Sequence, residues 1–464
     1  MAELRADWIA ERTGGVLRRG APDRRFQSYT IDSRRVQEGD LFFALAAARD
    51  GHDFVAAAAE CGARGAVVSR SVEGLPADFV LVQVDDTVRA LQALAAAVLR
   101  IRLRWVVGIT GSIGKTTTKD FTARLLADRY EVLKSEGNFN NHLGLALSLL
   151  RLEPAHTAAV LEMGMRAPGE IRTLTSIAPP DVAVITNVNP AHLETLGSLE
   201  AVAAAKWEIV SGLKPGGTAV INGDDPALRA VSAGWTGRLL RFGSGTGCDV
   251  AARNIERRGF EGFEFDLEAG GRSARTRLKF LTEGYLSDAL AAAAVAYALN
   301  MPLSDIAAAV AGLRPAPKRG EWITLGRGVV LIDDSYNSSP KALETALRGL
   351  GGLPAARRVA VLGDMLELGR DEVRFHEEAG RVAAASGWDA LVAVGPLARR
   401  LAEAARSAGL AAEAIAEFDS SAEAAAALPA ILRPGDLVLV KGSRGVGTEI
   451  IVEAVKILFK FKES

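Results

Sequence analysis

Gly108-Ile109-Thr110-Gly111-Ser112-Ile113-Gly114-Lys115-Thr116-Thr117-Thr118 follows an apolar strand-like run, Trp105-Val106-Val107, and opens a helical stretch from Lys119 to Ala127. Glycines let backbone N–H groups close around phosphate, Lys115 supplies a point charge, and the Thr116 hydroxyl is of the type that ligates Mg²⁺. The reading places Thr110, Gly111, Ser112, Gly114, Lys115, Thr116 and Thr117 against a nucleotide. The loop is a variant, because Ile109 stands where the strict spacing has its first glycine. A glycine-rich turn without a ligand is the plain alternative, and Gly-Lys-Thr between a strand and a helix weighs against it.

Working outward, apolar runs alternate with helical stretches: Ala158-Ala159-Val160-Leu161, Val182-Ala183-Val184-Ile185 and Thr218-Ala219-Val220-Ile221. That rhythm is the signature of a parallel sheet built from βαβ units. From Asp249 to Phe280 it changes to alternation, with Phe263, Phe265 and Leu267 on one face, and predicts a small antiparallel appendage. After the Pro-rich segment Leu313 to Lys318 the βα rhythm resumes, with strands predicted at 328–332, 359–362, 390–394 and 437–440. Upstream, short runs at 40–45, 65–68 and 79–82 alternate with Ala-rich helical stretches. The expected fold is α/β in three domains: a small N-terminal α/β domain at 1–100, a central parallel-sheet domain carrying the phosphate loop at 101–313, and a C-terminal Rossmann-like, doubly wound domain at 314–464.

Composition agrees with that organisation. At about 150 residues per domain, 464 residues give roughly three. Hydrophobic residues make up 49% and charged residues 24%, enough apolar content for sizeable cores. With 55 Lys+Arg against 56 Asp+Glu the formal net charge is −1, which argues against broad binding to nucleic acid or anionic membrane. Two cysteines, Cys61 and Cys248, cannot build a disulfide framework or a four-thiolate zinc site. The longest apolar run, Ala289 to Leu299, falls short of the roughly 20 residues of a membrane span. The first residues lack an apolar signal core, so the expectation is a reduced, cytoplasmic protein without a membrane span.

Other candidate residues are ordinary when taken singly. Glu162 closes a strand, where ligands of open sheets bind, and a carboxylate there can take a nucleotide's Mg²⁺. His192 follows another strand, and Lys206 reads as one charge on an amphipathic helix. His52, His142, His156 and His376 read as structural or solvated.

Their order along the chain is distinctive. Gly-Lys-Thr-Thr, Gly137-Asn138-Phe139-Asn140-Asn141-His142-Leu143-Gly144, Leu161-Glu162-Met163-Gly164, Asn187 through His192-Leu193-Glu194, and Ala205-Lys206-Trp207-Glu208-Ile209 together resemble the ATP-dependent Mur ligases of peptidoglycan synthesis. Lys318-Arg319-Gly320, Asp333-Asp334-Ser335-Tyr336-Asn337, Leu362-Gly363-Asp364-Met365-Leu366-Glu367-Leu368-Gly369 and Lys441-Gly442-Ser443-Arg444 continue the match. Asp32-Ser33-Arg34 and Gly39 to Leu45 fit the family's domain for the UDP-sugar. The third-domain motifs resemble the member that adds D-alanyl-D-alanine.

The resemblance implies an ATP-dependent ligase that joins D-Ala-D-Ala to UDP-MurNAc-tripeptide through an acyl phosphate. It makes the N-terminal domain the substrate domain and the central domain the ATPase domain. It implies Lys115, Lys206 and His192 as catalytic residues. Mg²⁺ would be held by Thr116, Glu162, His192 and Lys206, the last as a carbamate, since a lysine cation cannot ligate a metal. Arg319 and Asp334 would reach ATP from the third domain, completing the site on closure. Ser33, Arg34, Asn138, Asn141 and Asn337 would bind substrate. The partners implied are small molecules, and the expected state is a monomer.

Two departures from the family pattern stand out. Gly284-Tyr285-Leu286-Ser287-Asp288 occupies the place of a His-Asn-x-x-Asn segment that helps hold the nucleotide, and Ala46-Ala47-Ala48 the place of a Gly. The first predicts ATP binding weaker by about one hydrogen bond, roughly 0.5–1.5 kcal/mol. A related ligase for another amino acid or for folylpolyglutamate is the alternative enzyme. A phosphate-loop regulator is the alternative outside enzymes, disfavoured because it needs neither Lys206 nor His192.

Overall fold

The computed structural model describes residues 3–46, 49–137, 139–190 and 193–460. Packing groups the chain into two compact units, Met1–Asp249 with Ala291–Met301, and Val250–Leu290 with Pro302–Ser464.

In the first unit, parallel strands lie in the order Arg238–Gly243, Thr218–Asn222, Val182–Ile185, Trp105–Thr110, Ala158–Glu162, Val132–Lys134. Val182–Ile185 and Ala158–Glu162 are buried along their whole length, as strands covered by helices on both faces must be. Trp105–Thr110 lies between them, so the loop that follows it emerges at the middle of the sheet. A second sheet runs Val16–Arg19, Val80–Gln83, Gly65–Val68, Leu41–Phe43, Tyr29–Thr30, with only the first pairing antiparallel. The Asp86 side chain caps the helix Thr87–Arg102, accepting from the N–H groups of Val88 and Arg89. That helix packs on both Ala6–Thr13 and His142–Leu150, so one hydrophobic core runs from Leu4 to Leu228.

The second unit opens with the antiparallel strands Val250–Arg257, Phe263–Ala269 and Arg272–Leu278. Phe263, Phe265 and Leu267 are buried on one face, as their alternation predicts. Its main sheet runs Glu321–Thr324, Val330–Asp334, Asp436–Lys441, Arg357–Gly363, Ala390–Val394, Ile415–Phe418, all parallel except the first pairing. Leu343, Leu347, Ala379, Ala383, Leu401 and Ala405 cover one face of it, and Ala424, Leu428, Ile451, Val452 and Val455 the other. This is the doubly wound arrangement the spacing predicts.

Several predicted boundaries move, two of them beside glycines at positive φ. The strand expected from Gly328 begins at Val330, because Gly326–Gly328 form a 3₁₀ turn with Arg327 at φ 60° and Gly328 at φ 73°. The helix expected from Lys119 begins at Lys115, directly after Gly114 at φ 83°. The apolar run 289–299 lies almost wholly in the helix Glu283–Ala298, and among the described residues no helix is long and apolar enough to cross a membrane.

Candidate functional site

The loop from Gly111 to Gly114 is fixed from the neighbouring strand's end. Asn187 accepts from the Ile113 N–H and donates to the Ile113 carbonyl, each at 3.0 Å, so one amide holds one residue from both sides. Ser112 Oγ donates to the Asn189 carbonyl and accepts from the Asn189 N–H. Thr186 Oγ1 donates to the Ile113 carbonyl at 2.6 Å. A Cβ at Gly111 would sit 1.9 Å from Thr186 Oγ1, so only glycine fits there, and its φ of 150° suits glycine as well. Lys115 Nζ donates to the carbonyls of Gly111 and Ser112, folding its charge over the helix N-terminus. Thr110 is fully buried and its hydroxyl has no hydrogen-bond partner among the described residues, while Thr117 is buried in the helix.

Thr116 lies one residue further on and reaches the next strand. Its hydroxyl donates to Glu162 Oε2 at 2.8 Å, and Asn140 Nδ2 donates to Glu162 Oε1 at 2.9 Å. Glu162 is 3% exposed, an ionisable oxygen pair held at a strand end by two neutral groups. Asn140 comes from the segment that also supplies Asn141. Asn141 Oδ1 accepts from the Gly144 N–H and caps the helix His142–Leu150, so that oxygen is committed to backbone. Among the described residues, no group of three or more His, Cys, Asp or Glu is placed to hold a metal ion. A Thr hydroxyl with one carboxylate is the sparse, hard-oxygen set that suits Mg²⁺ carried by phosphates.

Lys206 stands on the helix Leu199–Ser211 among Val202, Ala203, Ala205, Ile209 and Val210, all buried. It is 2% exposed, and its ammonium makes no hydrogen bond or ion pair among the described residues. Burial, and then the nearby charge of Lys115, push its amine well below the ordinary lysine range. The structure therefore brings Lys115, Thr116, Glu162 and Lys206 into one region. His192 and Asn138 lie outside the described residues, as do Ala47 and Ala48.

In the second unit, charged groups gather at the carboxyl ends of the sheet strands, the usual ligand crevice of such folds. Lys441 Nζ donates to Asp334 Oδ2 at 2.6 Å and to the Asn337 carbonyl at 2.9 Å. Burial raises the Asp334 carboxyl above the usual range, against the pull of Lys441 and Arg319. The Arg319 guanidinium lies 3.8 Å over the Tyr336 ring, and that of Arg444 lies 5.9 Å from it. Asn337 itself is exposed. Tyr285, in the segment that departs from the family pattern, packs on Phe280 with ring centroids 4.8 Å apart. Its phenol is pushed well above its ordinary range by burial, then by Asp334 and Asp288.

The N-terminal candidates are surface groups. Asp32 caps the turn Ser33–Arg35, and Arg34 pairs with Asp32 at 2.8 Å while remaining 86% exposed. That pairing holds the Asp32 carboxyl down at about 2.

Sequence reasoning missed the roles of Asn140, Thr186, Asn189, Tyr336 and Lys441, which act through contacts distant in sequence. Gly111 is already called for by the phosphate loop, so no separate sign in the sequence told of Thr186 pressing on it.

Three family patterns match the chain: "Mur ligase family, catalytic domain" over residues 25–98, "Mur ligase middle domain" over 109–296, and "Mur ligase, glutamate ligase domain" over 318–444. The chain belongs to the Mur ligase family. A relative from Bacillus subtilis, 37% identical over 91% of this chain and 91% of its own length, is named UDP-N-acetylmuramoyl-tripeptide--D-alanyl-D-alanine ligase. The crystal structure of MurF from Acinetobacter baumannii is 31% identical and superposes with a TM-score of 0.89, covering 98% of this chain and 99% of that one. MurF ligase from Thermotoga maritima in complex with ADP is 32% identical, with a TM-score of 0.82 over 93% and 97% of the two chains.

Proposed function

We propose that the chain is an ATP-dependent peptide ligase that joins D-alanyl-D-alanine to UDP-MurNAc-tripeptide, giving the pentapeptide precursor of peptidoglycan with ADP and phosphate. The observation that carries the reading is a buried, neutral-leaning Lys206 beside the Lys115 loop. A protein that only held a nucleotide has no need of the second lysine. The shared name of relatives matching over 90% of the chain supports the choice of dipeptide.

The chemistry requires a carboxylate to become electrophilic, since oxide is not a leaving group. Phosphate transfer to the tripeptide carboxylate gives an acyl phosphate, and the dipeptide amine displaces phosphate from it. Lys115 and the loop N–H groups would neutralise the approach of two anions. Thr116 and Glu162 would hold Mg²⁺, with His192 and Lys206 toward a second ion. Mg²⁺ bound there would withdraw charge from the phosphate oxygens. For Lys206 to serve, its neutral amine adds to CO₂: a C–N bond forms, a carbamate anion results, and the proton leaves to solvent. The lowered amine supports that step. Arg319 and Asp334 are proposed to contact ATP, Asn337 and the 362–369 loop the dipeptide, and Ser33 and Arg34 the UDP-sugar. The three-domain division at 100 and 313 is supported by the spacing of the family matches. The chain is proposed to act as a monomer in the cytoplasm.

The test is ADP release with UDP-MurNAc-tripeptide, with and without D-Ala-D-Ala, beside single amino acids and a folate acceptor. Dipeptide-dependent ADP is expected. ADP release driven by a single amino acid and not by the dipeptide would overturn the reading.

A further inference from the structure

Lys119 is a buried cation that the chemistry above does not use. It lies one helical turn beyond Lys115, is 2% exposed, and donates from Nζ to the Ser135 carbonyl at 2.9 Å. The Asp120 carboxylate lies 3.7 Å away and is shared with Lys134, which holds it at 2.8 Å. Burying an ammonium is costly, so its placement calls for a reason.

Ser135 supplies one. It follows the three-residue edge strand Val132–Lys134, too short to fix its own end, and is fully buried. Each of its polar groups is engaged: N–H to the Val160 carbonyl, carbonyl to Lys119, and Oγ accepting from the Glu162 N–H at 2.9 Å. Glu162 then meets Thr116 from the Lys119 helix and Asn140 from the segment after Ser135. The contacts close a ring: helix to Ser135, Ser135 to Glu162, Glu162 back to the helix.

We propose that Lys119 is a positioning residue that sets the Glu162 carboxylate for the divalent cation by anchoring Ser135. This rests on the reading of Glu162 as a Mg²⁺ ligand. Lys119 touches neither cation nor nucleotide. A merely structural lysine would lower stability and leave metal affinity alone.

The test is calorimetric titration of ADP into the full chain, in Mg²⁺ and again in EDTA, reading the ratio of the two affinities. Lys119→Met keeps the aliphatic stem and removes the donor. Ser135→Ala removes only the Oγ acceptor and serves if Lys119→Met does not fold. Both are expected to lose at least tenfold of the Mg²⁺-dependent tightening while metal-free ADP binds as before. Glu162→Gln is the control. If it loses the tightening while folded Lys119→Met or Ser135→Ala keeps it, the role of Lys119 is overturned and the Glu162 reading stands. If Glu162→Gln also keeps the tightening, the Glu162 reading itself fails and the proposal with it.

Discussion

Lys115 and Lys206 act on one another as like charges: after burial, the Lys115 ammonium is the largest influence pushing the Lys206 amine down. One lysine is a cation folded onto the loop, and the other is held ready to lose its proton. Each half of that pair has a measurable consequence.

For Lys206 the sign follows from its lowered amine. Above the ordinary lysine value near 10.5 both folded and unfolded chains are neutral there. As pH falls below it, the unfolded chain takes up a proton that the folded chain refuses, so stability drops until the folded value is reached. Lys206→Met is therefore expected to be more stable than CO₂-stripped protein at pH 7, by about 1–4 kcal/mol, and inactive. Urea melts in degassed buffer check the first point. ADP release by the variant checks the second, beside return of activity to the CO₂-stripped, unsubstituted chain on adding bicarbonate, with a new carbamate carbon signal from ¹³C-bicarbonate that the variant lacks.

Lys115→Ala removes two hydrogen bonds to loop carbonyls from a half-buried side chain. A stability loss of about 1 kcal/mol is expected. Turnover should fall by about two to three orders of magnitude, because the cation proposed to meet developing phosphate charge is lost. Normal ADP production by the folded variant would remove the loop from the mechanism.

Gly320 sits at φ 70°, and a Cβ there would lie 2.7 Å from the Tyr285 hydroxyl. Gly320→Ala should cost about 1–3 kcal/mol from backbone strain alone, with the contact adding to it. In a Tyr285→Ala background the hydroxyl and the ring atoms at 2.8 and 3.0 Å are all gone, and the loss should shrink. Equal losses in the two backgrounds, by denaturant midpoint, would show that Tyr285 does not press on Gly320.

His376 is fully buried, accepts from the Met365 N–H at Nε2 and meets the Glu372 carbonyl at Nδ1, so Nδ1 carries the proton. His376→Ala should cost about 2–4 kcal/mol from the cavity and the stranded amide. It should raise KM for D-Ala-D-Ala more than KM for ATP, since that bond helps hold the 362–369 loop proposed to face the dipeptide. A uniform change in both would place the loop away from the dipeptide.

The parallel sheets were readable because strands buried on both faces are unbroken apolar runs, as in Val182–Ile185. Leu4–Arg5 and Arg25–Phe26 pair across the chain in two-residue strands, which leave no periodicity to see. Glu321–Thr324 was equally silent, an antiparallel edge of only four residues. Lys206 was named through resemblance, although its spacing from Val202, Ile209 and Val210 already set it on the apolar stripe of its helix. Lys119 shows the opposite limit. Its helix buries Thr118, Phe121, Thr122 and Leu125 around it, and no pattern says that the polar position between them faces Ser135.

Gly111 and Thr186 are locked together in a way that reaches into the protein's history. Any side chain at Gly111 meets the Thr186 hydroxyl, and Thr186→Ala would open the space only by giving up the bond to Ile113 that shapes the loop. The backbone at Gly111, with φ 150°, also resists a side chain. Thr186→Ser, which keeps the hydroxyl, is the mildest single change the pair allows. A side chain at Gly111 is therefore expected to be the last change this loop accepts.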